Sequence, residues 1–346
     1  MCRYFRAMSN GSTDNKSFRI GIVGVSGYGG GEALRLCAGH PWFEVVYVAG
    51  ESSAGAKLIE KFPGVGLRAI ESGGTLGDLV IEKWDPGALP NLDVLFASLP
   101  TGESREALAK VPAHTKIVDI GGDHRFAEGW TYGLADVWPD QIRQASRLAN
   151  PGCYPSASIA ALAPLVAAGL IDPNVIIDAK SGVSGAGRGG GGGFGYAEVN
   201  EDLMAYGLFK HAHVPEMVKA LSKIGGVPVS LTFTPHLIPM TRGILATCYG
   251  RTTAKVTTAD CLDAARRFYA ERPFVRVTDK PPHTKWATGS NLVYVSYAAD
   301  PDRGQVIALG AIDNLGKGAA GQAVQNANLM LGIEQTAGLK GVPLWP

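Results

Sequence analysis

The side chain in this 346-residue chain with the greatest chemical potential is Cys153, in Asn150-Pro151-Gly152-Cys153-Tyr154-Pro155 just ahead of the Ala-rich run Ser156–Ala163. Pro155 suits a first helical position, where an N–H would have no partner anyway, so the thiol falls at or just before a helix N-terminus. Unpaired N–H groups and the helix dipole favour thiolate there, and the same groups can polarise an acyl carbonyl held on sulfur. The competing reading is a buried structural thiol. His211-Ala212-His213 favours the first, because alternating histidines share a face when extended and one imidazole can serve the thiol as general acid and base. His211 is the first choice, although spacing alone does not separate it from His213; both could also be plain polar residues at a helix entry. A metal would need a further ligand and only Glu216 is near in sequence, so none is expected. Arg125, Arg188, His236 and Arg242 are candidates for holding a phosphate or carboxylate, which guanidinium groups grip bidentately, with ordinary ion pairing as the alternative.

Positioning these groups requires a scaffold, and the chain begins one at Phe18–Val23, an apolar strand that runs into glycines and then a helical stretch. Gly24-x-x-Gly27-x-x-Gly30 is a variant of the dinucleotide fingerprint, in which glycines let the backbone approach a pyrophosphate at a helix N-terminus. Phe43–Ala49 supplies the second strand of a βαβ unit. Strands at Val94–Ser98 and Lys116–Ile120 follow, each ending in turn residues where the ligand loops of an open parallel sheet belong. Gly24, Ser26, Gly27, Tyr28, Gly29 and Gly30 are therefore expected at a cofactor, with Ser98 and Pro100 from the loop after the third strand. After the cysteine helix come a strand at Val175–Lys180 and a glycine-rich loop from Ser181 through Arg188 to Gly193, which reads as an anion-binding lid or, alternatively, a solvated linker. Proline-interrupted β-structure spans Val227–Tyr249, a helix Ala259–Ala270, and further strands Leu292–Val295 and Gln305–Asp313, an α+β pattern. Asn314 opens a final Ala-rich helix whose start could face an anion or a nicotinamide.

Composition fits two folded domains: 46% hydrophobic and 18% charged residues, with a formal net charge of +1. The near balance and the lack of a dense basic run argue against nucleic acid or an acidic membrane surface, and no apolar stretch is long enough to cross a bilayer. Five scattered cysteines without CxxC spacing suggest a reducing, cytoplasmic compartment, though a trimmed organelle leader, plastid or other, is compatible with the opening residues. The expected division is an arm over residues 1–17, a dinucleotide-binding domain over 18–152 plus 314–346, and a catalytic domain over 153–313. The fold class is α/β, a Rossmann-type doubly wound parallel sheet followed by an α+β catalytic and oligomerisation domain with a mixed or antiparallel sheet.

From Arg19 onward the chain resembles the N-acetyl-gamma-glutamyl-phosphate reductases of arginine biosynthesis, within the aspartate-semialdehyde-dehydrogenase-like group. The resemblance rests on Gly24-Val25-Ser26-Gly27-Tyr28-Gly29-Gly30, Asp123-His124-Arg125-Phe126, Asn150–Pro155, Ser181–Arg188, His211–Glu216, His236–Gly243 and Asn314–Ala323, in the family's order. It implies attack of Cys153 on an acyl phosphate, release of inorganic phosphate, reduction of the thioester by NADPH, and proton transfer by an imidazole. It also implies NADP(H) as cofactor and a homodimer or homotetramer. Against NADP stands Glu51, at the distance where a carboxylate takes ribose hydroxyls of NAD; Ser52 or Ser53 would have to meet the 2′-phosphate. Competing readings are the lysine-pathway reductase of an aminoadipyl phosphate, which a carrier protein can present, and a non-catalytic nucleotide-binding regulator.

Overall fold

The computed structural model describes residues 17–72, 74–188 and 196–344. The expected N-terminal arm, apart from Ser17, the glycines 189–193 and Cys2 lie outside the described residues. Two sheets organise the rest. The first has six parallel strands, β1 (Phe18–Val23), β2 (Phe43–Ala49), β3 (Val94–Ala97), β4 (Lys116–Asp119), β5 (Thr131–Tyr132) and β6 (Arg147–Ala149), in the order β2-β1-β3-β4-β6-β5. β3 is buried along its whole length, as a strand covered on both faces must be, which is why Val94-Leu95-Phe96-Ala97 reads as continuous apolar sequence. Successive strands run outward from β1 in opposite directions, to β2 on one side and β3 on the other. Ligands of such sheets bind at that switch point, beyond the strand ends.

The second sheet has seven strands: β7 (Ile171–Gly182), β8 (Met204–Ala205), β9 (Ser230–Ile238), β10 (Ile244–Thr252), β11 (Val275–Val277), β12 (Val293–Asp300) and β13 (Gln305–Ile312), ordered β11-β12-β13-β10-β7-β9-β8. It is mixed: β7 runs parallel to β9 and antiparallel to β10. The proline-interrupted stretch 227–249 resolves into β9, a turn at Pro239–Gly243, and the start of β10.

Five helices matter to the site: α1 (Tyr28–Ala38), α2 (Cys153–Ala167), α3 (His213–Gly225), α4 (Thr258–Phe268) and α5 (Gly321–Met330). α2 is the hub, packed on the second sheet, on α3 and on α4. It starts two residues earlier than Pro155 suggests, with Gly152 as N-cap and Cys153 in the first turn. The third helical position tolerates proline as well as the first, because the first four helical N–H groups lack partners in any case. Further along, Pro164 cannot bond to the Ala160 carbonyl, and the Tyr269 hydroxyl donates to it instead at 2.9 Å. Before α5, residues Gly316–Ala320 form a π-helical turn where the sequence predicts a continuous helix. α5 then returns to the first sheet and packs against α1 and β4.

Candidate active site

Cys153 lies where the two sheets' elements converge. The π-helical turn crosses it so closely that a Cβ on Gly318 would sit 2.8 Å from the Cys153 Cβ. Backbone is thus laid directly over the cysteine, which is left half-buried. Burial pushes its thiol up to about 11, while the Arg125 guanidinium and the Tyr154 backbone N–H pull the other way. The helix N-terminus is present, as the sequence predicts, but desolvation outweighs it. In the free protein Cys153 is a thiol.

α3 brings the histidines to it. His213 is the first residue of α3, and its ring lies against Gly152: a Cβ there would stand 2.8 Å from both Cδ2 and Cε1 of the imidazole, and nearer still to Nε2. His211 is one step back. Its Nδ1 accepts the His213 backbone N–H at 3.1 Å, which leaves the proton of the neutral ring on Nε2. Rings of Tyr154, Tyr206 and Phe233 pack edge-on around it, and His213 is 4.7 Å away between centroids. Burial first, then Arg125 and His211, hold His213 well below the usual imidazole range; burial and Arg125 lower His211 as well. Both rings are neutral bases at physiological pH.

Glu216, one turn into α3, ties these elements together. Its buried carboxylate accepts from the Gly152 N–H at 2.8 Å, from the Tyr132 hydroxyl at 2.6 Å, and from Arg125 Nη1 at 3.0 Å. Arg125 Nε also donates to the Asn150 carbonyl at 3.0 Å. The peptide before the cysteine is therefore fixed by a carboxylate from the helix that carries His213. Phe126, next to Arg125, is held at φ 59°, a conformation that costs a bulky L-residue energy and is sustained here by stacking on Tyr132 with centroids 4.4 Å apart.

The glycine turn between β1 and α1 is shaped for a dinucleotide. Gly24 has φ 77°, and a Cβ there would drive into the Ser98 backbone; one on Gly30 would stand 2.6 Å from the Gly24 carbonyl carbon. A Cβ on Gly29 would be 2.8 Å from Ser98 Oγ. Gly27 caps α1 without a side-chain partner for the helix N–H groups, and Ser26 Oγ is buried without one among the described residues. Free donors around a side-chain-free cradle fit a pyrophosphate. Tyr28 is exposed at the rim, as is Pro100. Beyond β2 a single helical turn presents Glu51 and Ser52 to solvent and buries Ser53.

The remaining candidates are placed unequally. Arg188 Nη1 donates to the Ser26 carbonyl at 2.9 Å, joining the loop after β7 to the glycine turn. Arg242 is paired with Glu32 of α1 at 2.7 Å and with Asp313 at 3.0 Å, so its charge is matched by two buried carboxylates. Asp313 also accepts the N–H groups of Gly289, Leu315 and Gly316. Asn314 accepts from the Gly243 N–H at 2.7 Å and donates to Ser184 Oγ at 2.9 Å. His236 Nδ1 stands 3.3 Å from Asp178, and its carbonyl accepts the Tyr154 hydroxyl at 2.9 Å. Arg125 is thus grouped with Cys153 and His213, Arg188 goes to the cofactor turn, and Arg242 and Asn314 tie that turn's helix and the β7 loop to the segment that leads over Cys153.

Comparison with known proteins places the chain in a family. Residues 19–145 match the model of the semialdehyde dehydrogenase NAD binding domain, and 153–314 that of the semialdehyde dehydrogenase dimerisation domain. N-acetyl-gamma-glutamyl-phosphate reductases from Bradyrhizobium sp. (strain ORS 278) and Methylobacterium sp. (strain 4-46) are 68% and 64% identical to the chain, each over 95% of it and 100% of the relative. The chain belongs to the N-acetyl-gamma-glutamyl-phosphate reductase family. The reductase shares its fold with aspartate semialdehyde dehydrogenase II from Vibrio cholerae (18% identity, TM-score 0.71, 91% of this chain and 99% of that one). It shares it also with the Candida albicans aspartate semialdehyde dehydrogenase solved with NADP (17%, 0.70, 91% and 98%). The sequence points to the thiol, the imidazoles and the glycine turn, and the fold sets His213 against the residue before Cys153; the sequence alone does not show that Glu216 fixes the Gly152 peptide. The one signal available was its place one turn after His213.

Proposed function

We propose that the protein reduces N-acetyl-gamma-glutamyl phosphate to N-acetyl-glutamate 5-semialdehyde and phosphate, with Cys153 as nucleophile and His213 as acid and base. The observation that carries the reading is Cys153 in the first turn of α2 with the His213 ring against the residue before it, in a chain 68% identical to a reductase of that name. Since thiol and imidazole are both neutral at rest, the reaction starts by passing the thiol proton to His213 as sulfur attacks the acyl carbon. The carbon–oxygen bond to phosphate breaks and a thioester remains on Cys153. N–H groups at the start of α2 face the acyl oxygen during attack. NADPH, when bound along the glycine turn, supplies the hydride that brings the thioester to the aldehyde level. His213, now protonated, stands beside the oxyanion and returns its proton to sulfur as the carbon–sulfur bond breaks. His211 acts through the His213 backbone, Arg125 faces the reacting end, and His236 borders the substrate side beneath Tyr154. Arg188 and Arg242 steady the glycine turn and α1. Of the remaining cofactor candidates, Ser98 and Pro100 border the turn, and exposed Ser52, with buried Ser53 behind it, would hold the 2′-phosphate of NADP.

Following reduction of NADP and of NAD with N-acetyl-glutamate semialdehyde and phosphate tests this directly. Phosphate-dependent reduction that prefers NADP and vanishes in Cys153→Ala is expected. A preference for NAD would assign Glu51 to the ribose hydroxyls, and no turnover in the parent would refute the substrate.

A homo-oligomer belongs to the same reading. The second sheet packs on α2, α3 and α4 with one face, while on the other Ile176, Tyr249 and Ile307 are directly paired across β7, β10 and β13 and are 51%, 40% and 38% exposed. Such an aligned apolar row fits a second copy, in keeping with a family model described as a dimerisation domain. Tyr249→Glu should shift the sedimenting species to monomer.

A further inference from the structure

Beside the catalytic pair is a cavity of about 310 Å³, bounded by the loops after β3 and β4 and the first turns of α3. Thr101, Gly122, Arg125, His213, Glu216 and Lys219 are on its wall. The charges there do not balance in the way the sequence suggests. Arg125 is the cation placed nearest the chemistry, but its Nη1 is bound to Glu216 at 3.0 Å, so an anion entering the cavity meets a pair with no net charge. Lys219 supplies the uncompensated positive charge. It has no hydrogen bond or ion pair among the described residues, and its Nζ is carried 5.7 Å above the Phe126 ring. That ring is the one held at φ 59° and stacked on Tyr132, so the platform beneath the ammonium is rigid. Arg125 Nη2 is also without a partner among the described residues.

We propose that Lys219 is a phosphate-binding residue: with Arg125 it holds the leaving phosphate of the acyl phosphate, and inorganic phosphate in the reverse reaction, in this cavity. The proposal rests on the acyl-phosphate reading above. Phosphate is favoured over the substrate's carboxylate by place. Glu216 and His213 line the cavity and both touch Gly152, one residue from the sulfur. The group expelled from the carbon that sulfur attacks must leave within reach of that sulfur, whereas the carboxylate is several bonds further along the substrate. The charge sum assigns the role: with Arg125 offset by Glu216, Lys219 makes the cavity net positive.

The test varies inorganic phosphate in the reverse assay at fixed semialdehyde and NADP. Losing one charge-assisted contact to phosphate, Lys219→Ala should raise KM for phosphate about tenfold or more, with KM for semialdehyde and NADP held within about twofold and Lys219→Arg restoring most of the loss. An unchanged KM for phosphate overturns the proposal, as does a rise in all three constants together. A rise for semialdehyde alone gives the cavity to the carboxylate and overturns it too. Calorimetric titration of inorganic phosphate into the NADP-loaded parent and Lys219→Ala proteins separates this from the underlying reading. Equal affinity overturns the proposal whatever the turnover. Weaker binding in the variant, in a parent that shows no phosphate-dependent reduction, supports the subsite while the acyl-phosphate chemistry falls.

Discussion

Replacing Gly152 by alanine adds one methyl group at a backbone position that accepts it, since φ −67° and ψ 157° are open to any L-residue. The cost falls on His213. The new Cβ would stand 2.8 Å from Cδ2 and from Cε1, where ordinary contact begins near 3.4 Å, and it lies closer still to Nε2. The ring must retreat by about 1 Å, a displacement that typically costs on the order of 10²-fold when it falls on a reacting group. That fold-change corresponds to about 2.7 kcal/mol of barrier. The hydrogen bond from the Gly152 N–H to Glu216 and the whole glycine turn are untouched, so NADP affinity should stay at the parent value. Steady-state kcat with the semialdehyde, a calorimetric Kd for NADP and a thermal melt together give the answer. Gly64→Ala, whose Cβ meets nothing within 4 Å, is the matched control. A Gly152→Ala protein whose kcat stayed within about threefold of the parent would falsify the placement of His213 as the proton carrier.

Other expectations concern the same cluster. His213→Asn should lower kcat by about 10³-fold, and His211→Asn by about tenfold, since His211 acts on His213 through its backbone N–H and its neighbouring ring; the reverse order would make His211 the base. With the Cys153 thiol at about 11, its alkylation by iodoacetamide in the free protein should climb about tenfold per pH unit from about pH 7 to 10, because the thiolate remains the minor species throughout that window. A plateau near pH 8 would contradict the raised thiol pKa. Glu216→Ala strips Arg125, Tyr132 and Gly152 of a shared acceptor and should destabilise the fold by about 3–5 kcal/mol in denaturant melts. A loss below about 1 kcal/mol would show that water replaces the carboxylate.

What could be read from the chain without coordinates was local. The glycine turn announces itself through strand, spacing and helix within fifteen residues, and the start of α2 through glycine, prolines and alanines within ten. Charge at Cys153 could not be read that way, because part of its cover is Gly318, 165 positions later, and burial raises the thiol against the pull of the Tyr154 N–H. Arg242 offered a phosphate-binding side chain until Glu32, 210 residues earlier, proved to be its partner. Glu216 looked like the only spare ligand near two histidines, whereas its three donors come from β5, the loop after β4 and the residue before Cys153. The π-helical turn was hidden for a similar reason. Its sequence is helix-compatible, and the neighbours it runs against, Ser290 at Gly316 and Cys153 at Gly318, are remote in the chain.

The return of α5 to the first sheet bears on how the molecule is made. Ala320, Ala323, Val324, Ala327, Leu329 and Met330 belong to the same apolar cluster as Ile20, Ile22 and Leu34, which leave the ribosome some three hundred residues sooner. A nascent chain that has just completed Ile312 already contains both sheets and nearly every group named in the chemistry. On that face of the first sheet α1 is already in place over β1, β2 and β3, but the part that α5 covers, beside α1 and over β4, is still open. Completion of the cofactor-binding half therefore waits for the last few dozen residues, and until they emerge that apolar face is open to chaperones and to aggregation.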